Sequence, residues 1–178
     1  MQALVIYESM FGNTHAIAEA IAGGLRQTHS VTVHPIGDVE SHVLDEADLV
    51  VVGGPTHAHG MSLPASRDAA AEVAEDPEKH LDLDAGPNEP GVRGWLLSLD
   101  RVAFDAVAFD TRLDAAPILT GRASKGIAKR LEKHGARLVA DPESFLVDTD
   151  NVLRAGEIER AHDWGARLGA RQAARSTT

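Results

Sequence analysis

The stretch ALVIYESMFGNTHAIAEAIAGGL, residues 3–25, changes character halfway along. Its first five residues form an unbroken apolar run, the pattern of a strand buried on both faces. A short turn with one glycine follows. After it Ile17, Ile21 and Leu25 recur every fourth residue along an alanine-rich helix, with Gly23 and Gly24 falling near its end. Asn13 or Thr14 is expected to cap that helix.

The same alternation runs on through the chain. SVTVHPI at 30–36 alternates like a more exposed strand, where Pro35 is tolerable at a sheet edge. ADLVVVGGP at 47–55 is a continuous apolar run closed by glycines and proline, the mark of a fully covered strand. The polar turn THAHGMSLP comes next, then a helical stretch from about Ala65 to Ala74 and an acidic, Pro- and Gly-rich excursion over 75–94. A short helix around GWLLSL leads to a fourth strand, AVAFDTRL at 106–113. The loop DAAPILTGRA precedes a helix through SKGIAKRLEKHG. ARLVA opens a fifth strand that SFLVD continues after a break at Asp141 and Pro142, and residues 155–173 form the last helix.

Strands alternating with helices imply a parallel sheet with right-handed crossovers and helices on both faces. The expected architecture is therefore an α/β/α three-layer sandwich. With 178 residues the chain suits one domain over 1–178. No internal repeat or low-complexity segment is evident beyond the alternation.

Composition narrows the chemistry. Hydrophobic residues make up 43% and charged residues 25%, which is globular usage, with no apolar run long enough for a membrane span. The first residues show no signal-peptide pattern, so a cytoplasmic location is expected. Cysteine is absent, which excludes disulfides, thiolate metal sites, iron–sulfur clusters and cysteine nucleophiles. A formal net charge of −10 opposes nucleic-acid binding through a diffuse basic surface. Asp45, Glu46, Asp48, Asp82, Asp84 and Glu89 are candidates for an acidic docking face. Trp95 and Trp164, at leucine-rich helical spacing, read as core.

In an open parallel sheet, ligands bind outside the carboxyl ends of the strands. Three loops leave those ends: residues 8–14, 54–62 and 110–122. The first holds Ser9, Asn13 and Thr14 and a run of backbone N–H groups at a helix N-terminus, an arrangement that favours an anion without a lysine partner. Gly12 would let a ligand approach the backbone closely. Simple helix capping by the same polar residues is the alternative reading. Neither a G-x-x-x-x-G-K-[ST] nor a G-x-G-x-x-G pattern is present. His57 and His59 lack a third ligand at metal-binding spacing, so no zinc site is expected.

YESMFGNTHAIAEAI resembles the phosphate loop of flavodoxins and of the flavodoxin modules of flavodiiron proteins. VVGGPTHAHGMSLP resembles their second flavin loop, and the similarity continues through FDTRL, IAKRLEKHGARLV and EIERAHDWGARLG. The resemblance implies a flavodoxin-like fold with a five-stranded parallel sheet in the order 2-1-3-4-5. It implies FMN as cofactor, with Ser9, Met10, Phe11, Gly12, Asn13 and Thr14 around its phosphate. Pro55, Thr56, His57, Ala58, His59 and Gly60 would line one side of the isoalloxazine, and Asp110, Thr111 and Arg112 the other. Three departures from the family pattern stand out. Phe11 occupies a position where a hydroxyl residue is common, the Trp and Tyr that usually flank the ring are missing, and the third loop is long.

The implied function is electron transfer with a redox partner protein or a small-molecule electron acceptor. An FMN-dependent quinone- or nitro-type reductase is the alternative within that class. A flavin-free binding or regulatory module on the same fold is the alternative outside it. A phosphorelay receiver fits poorly, because strand three ends in Gly53 and Gly54 rather than in an aspartate. For Arg112 two expectations stand. Either it points at the flavin's carbonyl edge and stabilises the reduced anionic ring, or it pairs with Asp110 or Asp114 at the surface.

Overall fold

The computed structural model describes residues 1–57, 60–63, 65, 68, 84 and 91–176. Among these, the apolar runs form strands β1 (Gln2–Tyr7), β2 (Ser30–Pro35), β3 (Leu49–His57) and β5 (Asp105–Leu113), all mutually parallel. A two-residue strand, β4 (Gly60–Met61), folds back antiparallel on the end of β3. The fifth position of the sheet is shared by β6 (Arg137–Leu138) and β7 (Glu143–Val147), which pair with the beginning and the end of β5 along one edge. The main path is β2-β1-β3-β5-β6, with β7 continuing its last position. This is the expected 2-1-3-4-5 order, with the last strand interrupted over 139–142. Pro142, which has no N–H to give to a ladder, lies in that interruption.

Helix α1 (Asn13–Leu25) follows β1, α2 (Ser41–Asp45) precedes β3, and α3 (Val92–Ser98) precedes β5. A single turn, α4 (Pro117–Thr120), interrupts the loop after β5. The last two helices are α5 (Ala123–Lys133) and α6 (Glu157–Ser176). Apart from Ala65 and Asp68, the helix expected from Ala65 to Ala74 lies outside the described residues, as does most of the 75–94 excursion.

Because side chains alternate along a strand, each strand serves both faces. Leu4, Ile6, Val50, Val52, Ala106 and Ala108 pack on one side against Trp95, Leu96, Ile127 and Leu131 of α3 and α5. Val5, Val51, Val107 and Phe109 pack on the other against Ile17, Ile21 and Leu25 of α1 and Trp164 and Leu168 of α6. Both tryptophans are buried, as expected. Continuous apolar strands arise because there is no wet face for a polar residue to occupy.

Gly24 lies in the last turn of α1 and serves packing. A Cβ there would stand 2.0 Å from the His162 carbonyl oxygen of α6, and one at Gly165 of α6 would stand 2.2 Å from the Ile21 carbonyl oxygen. The two helices therefore cross with backbone against backbone. Gly53 plays a comparable part in the sheet, where the ring of Phe109 fills the space a side chain would take.

Candidate functional site

The loops after β1, β3 and β5 meet at the carboxyl edge of the sheet. The first opens with Glu8, buried at the end of β1. Its backbone N–H donates to the Gly53 carbonyl at 3.0 Å, and its carboxylate accepts the Val92 N–H at 2.8 Å and the Ser62 hydroxyl. One carboxylate thus ties the start of the phosphate-type loop to the chain after β4 and to the N-terminus of α3. Glu8 was not among the residues singled out from sequence, since nothing in an acid after an apolar strand distinguishes a buried bridge from an exposed side chain.

Ser9 is buried and its Oγ accepts the Gly12 N–H at 3.1 Å, closing the turn on itself. Gly12, not Asn13 or Thr14, stands at the N-cap of α1, with φ of 83° and no side-chain cap. The expectation that Asn13 or Thr14 caps the helix is corrected. A left-handed backbone here demands glycine, and it turns the following side chains away from the helix end. The Asn13 Nδ2 donates to the Asn151 carbonyl oxygen at 2.7 Å, and the buried Thr14 Oγ1 lies 2.7 Å from Thr111 Oγ1. The N–H groups of Asn13, Thr14 and His15 stand in the first turn, where an α-helix supplies no acceptor of its own. Among the described residues nothing stands within 4 Å of the Cβ position of Gly12, which leaves open space there.

Behind this turn, the His15 ring stacks on Tyr7 with centroids 4.6 Å apart, and His15 Nδ1 meets Asp84 at 3.3 Å. The Asp84 N–H donates to the Met10 carbonyl at 2.8 Å, while Met10 is buried and Phe11 half-buried. Asp84 is therefore the member of the acidic set that reaches the loop. Asp45, Glu46 and Asp48 precede β3 and lie at the amino edge of the sheet, so the expected acidic face is divided between opposite ends. Asp82 and Glu89 lie outside the described residues.

The second loop is a hairpin at its base: Thr56 pairs with Met61 and His57 with Gly60. The sequence suggested a polar turn from Thr56 onward, because no alternation marks a two-residue strand. Ala58 and His59 lie outside the described residues. Pro55 pairs with Thr111 across the sheet. Arg93 holds the returning arm, with Nη2 donating to the Met61 carbonyl at 3.1 Å and Nε to the Ser62 carbonyl at 3.3 Å. Burial pushes the His57 imidazole below its ordinary value, with the Glu8 charge opposing in part. The neutral ring is thereby favoured.

Two residues expected at the flavin use their side chains to cap a helix. Thr56 Oγ1 accepts the Ala123 N–H at 2.9 Å, and Asp110 Oδ2 accepts the Ser124 N–H at 2.7 Å. Both satisfy first-turn donors of α5, whose own N-cap residue makes no such bond. Asp110 and Thr111 are buried, so what they offer a ligand in the open is backbone. Arg112 pairs with neither aspartate. Its Nη1 donates to the carbonyls of Leu113 at 3.1 Å and Ala115 at 2.7 Å and approaches Thr120 Oγ1 at 3.4 Å. Asp114 is engaged by Arg154 at 3.2 Å. Arg112 accordingly folds the long third loop over itself, and its Nε is buried without a partner.

The first-turn N–H donors of α1, the buried Asn151 Nδ2 without an acceptor beside Asn13 and the left-handed glycine at the N-cap make a fit for a phosphate group. Among the described residues, no cluster of His, Asp and Glu is arranged to hold a metal ion.

Residues 4–65 match the family model of the flavodoxin domain. No curated protein matches the chain in sequence. A solved flavodoxin from the domain Archaea is similar over 97% of this chain and 99% of its own, with TM-score 0.65 and 22% identity. Oxidised flavodoxin 1 from Bacillus cereus is similar over 94% of this chain and 97% of its own, with TM-score 0.64 and 22% identity. Rubredoxin oxygen:oxidoreductase from Desulfovibrio gigas is similar over 99% of this chain and 37% of its own, with TM-score 0.60 and 18% identity. The match over residues 4–65 takes in the first loop, and the chain as a whole has the flavodoxin fold.

Proposed function

We propose that this protein binds FMN at the carboxyl edge of its sheet and acts in electron transfer. The observation that carries the reading is the open N-terminus of α1. It starts from a left-handed glycine, stands at a strand end and offers first-turn N–H donors without any Lys or Arg between Tyr7 and Arg26. A phosphate dianion there is held by oriented dipoles. When bound, FMN supplies the acceptance and return of one or two electrons.

The protein's own residues position and enclose the group. Residues 9–14 hold the phosphate end, with Ser9 and Thr14 keeping the turn rigid. The hairpin of β3 and β4, braced by Glu8 and Arg93, flanks the ring on one side. The chain after Asp110, gathered by Arg112, flanks it on the other. His57, half-buried, is a ring-sized side chain on the hairpin. The electron partner is a redox protein or a small-molecule acceptor that reaches the exposed ring edge. Ile118 and Leu119, 87% and 68% exposed on the third loop, give that edge an apolar lip. Such a lip favours, as a second reading, a flavin-dependent reductase of quinone- or nitro-type substrates.

The test is titration of the protein with FMN and with riboflavin while flavin fluorescence is followed. Saturable quenching, tighter for FMN, is expected. Failure to bind either flavin overturns the proposal and leaves a flavin-free binding module on this fold.

A further inference from the structure

The loop between β7 and α6 carries a side chain that neither packing nor turn geometry accounts for. Asn151 is the one non-glycine among the described residues with positive φ, at 60°. Its turn is built around Asp148, whose carboxylate accepts the N–H groups of Asp150 at 3.0 Å and Val152 at 2.9 Å, while the Asp148 carbonyl accepts the Asn151 N–H at 3.2 Å. So held, the Asn151 carbonyl meets the Asn13 side chain, and Asn13 is the first residue of α1. The Asn151 Nδ2 is buried and has no partner. Asparagine tolerates the left-handed region, which explains the backbone. It does not explain a desolvated amide donor left without an acceptor, an arrangement that costs free energy unless something accepts from it.

We infer that Asn151 is a phosphate ligand of this site: its Nδ2–H donates to an oxygen of the cofactor's phosphate. The inference rests on the cofactor reading above and deepens it. It assigns to the last loop of the fold a direct part in holding the anion, through the one segment that already touches Asn13. The donor is neutral, in keeping with a cradle that contains no lysine.

Two variants separate this role from a structural one. Asn151→Gly keeps the left-handed turn and removes the amide. Asn151→Asp keeps the size of the side chain and replaces the donor with a carboxylate. Each is titrated with FMN and with riboflavin beside the unaltered protein, and circular dichroism confirms the fold. A hydrogen bond to a charged group predicts that Asn151→Gly weakens FMN binding roughly tenfold or more, with riboflavin binding unchanged. Asn151→Asp is expected to weaken FMN further by like-charge repulsion, again sparing riboflavin. If the unaltered protein prefers FMN over riboflavin and both variants keep that preference, the role of Asn151 is overturned while the phosphate cradle stands. If the unaltered protein binds the two flavins equally, the cradle and the role of Asn151 fall together.

Discussion

Thr14 and Thr111 place their hydroxyl oxygens 2.7 Å apart, joining the first turn of α1 to the carboxyl end of β5 in a buried contact. The two residues are far apart in sequence, yet they hold the first and third loops of the site in one geometry. Removing one hydroxyl leaves the other buried and unsatisfied, whereas removing both leaves an apolar pair. Thr14→Val and Thr111→Val are each expected to cost about 1–3 kcal/mol in chemical denaturation. The double variant is expected to cost less than the sum of the two. Strict additivity would show that the hydroxyls do not satisfy each other.

Glu8 is the brace between the phosphate-type loop, the chain after β4 and α3. Glu8→Ala removes the acceptor of the Val92 N–H at a buried position, and a loss of roughly 2–4 kcal/mol is expected. Glu8→Gln keeps a carbonyl oxygen for Val92 and a polar group for Ser62, and should cost about 1 kcal/mol. Equal losses in urea unfolding would mean that the charge, not the bridging geometry, is what the fold uses here.

The glycines separate by what surrounds them. Gly94 lies inside α3 with nothing among the described residues within 4 Å of its Cβ position, so Gly94→Ala should stabilise by about 0.5–1 kcal/mol through reduced chain entropy. Gly24→Ala carries the same propensity gain but sets a methyl against α6 backbone, and is expected to destabilise by at least ~2 kcal/mol. Thermal melts of the two variants should move in opposite directions.

The reach of sequence reading follows from the range of the interactions involved. Strands and helices were legible because the burial of each face writes a period into nearby residues: Val50, Val51 and Val52 announce a doubly covered strand, and Ile17, Ile21 and Leu25 a helix face. The strand break at Asp141 and Pro142 was legible too, since proline cannot donate to a ladder. The place of Gly24 near the end of α1 was legible, but its packing role was not, because its partner, His162, is remote in the chain. The family resemblance places Thr56 and Asp110 at the flavin, and their side chains cap a helix that starts many residues later, a contact with no local signal. Glu8 and Asn151 carry no local pattern at all. Each is defined by what the fold brings beside it.

His29 and His57 make stability depend on pH in one direction. Burial depresses the His29 imidazole, as does the nearby N-terminal ammonium, while Asp48 opposes in part. His57 is depressed by burial too, against the opposing Glu8 charge. In the unfolded chain each takes up a proton near its ordinary value of 6.5, and in the folded chain only at lower pH. Stability from these groups is therefore complete above that value and is lost as pH falls through the folded-state value. Urea midpoints measured from pH 7.5 to 5 should fall, and His29→Gln should flatten part of the slope. A midpoint that rises on acidification over this window would contradict the assignment.

Arg112 brings a fixed positive charge to the third loop. Its Nη1 is spent on the carbonyls of Leu113 and Ala115, so the charge is anchored by backbone and not neutralised by Asp110 or Asp114. A cation held beside bound FMN favours the form of the flavin that gains negative charge on reduction. Arg112→Leu should therefore lower the midpoint potential of the FMN-loaded protein. The same change frees the loop, so flavin affinity is measured in parallel. Arg112→Lys keeps the charge but not the several loop contacts of the guanidinium, and it divides the two effects. Affinity lost with the potential retained in the lysine variant would assign the loop to hydrogen bonding and the potential to charge. A potential unchanged in both variants would leave Arg112 with the loop alone.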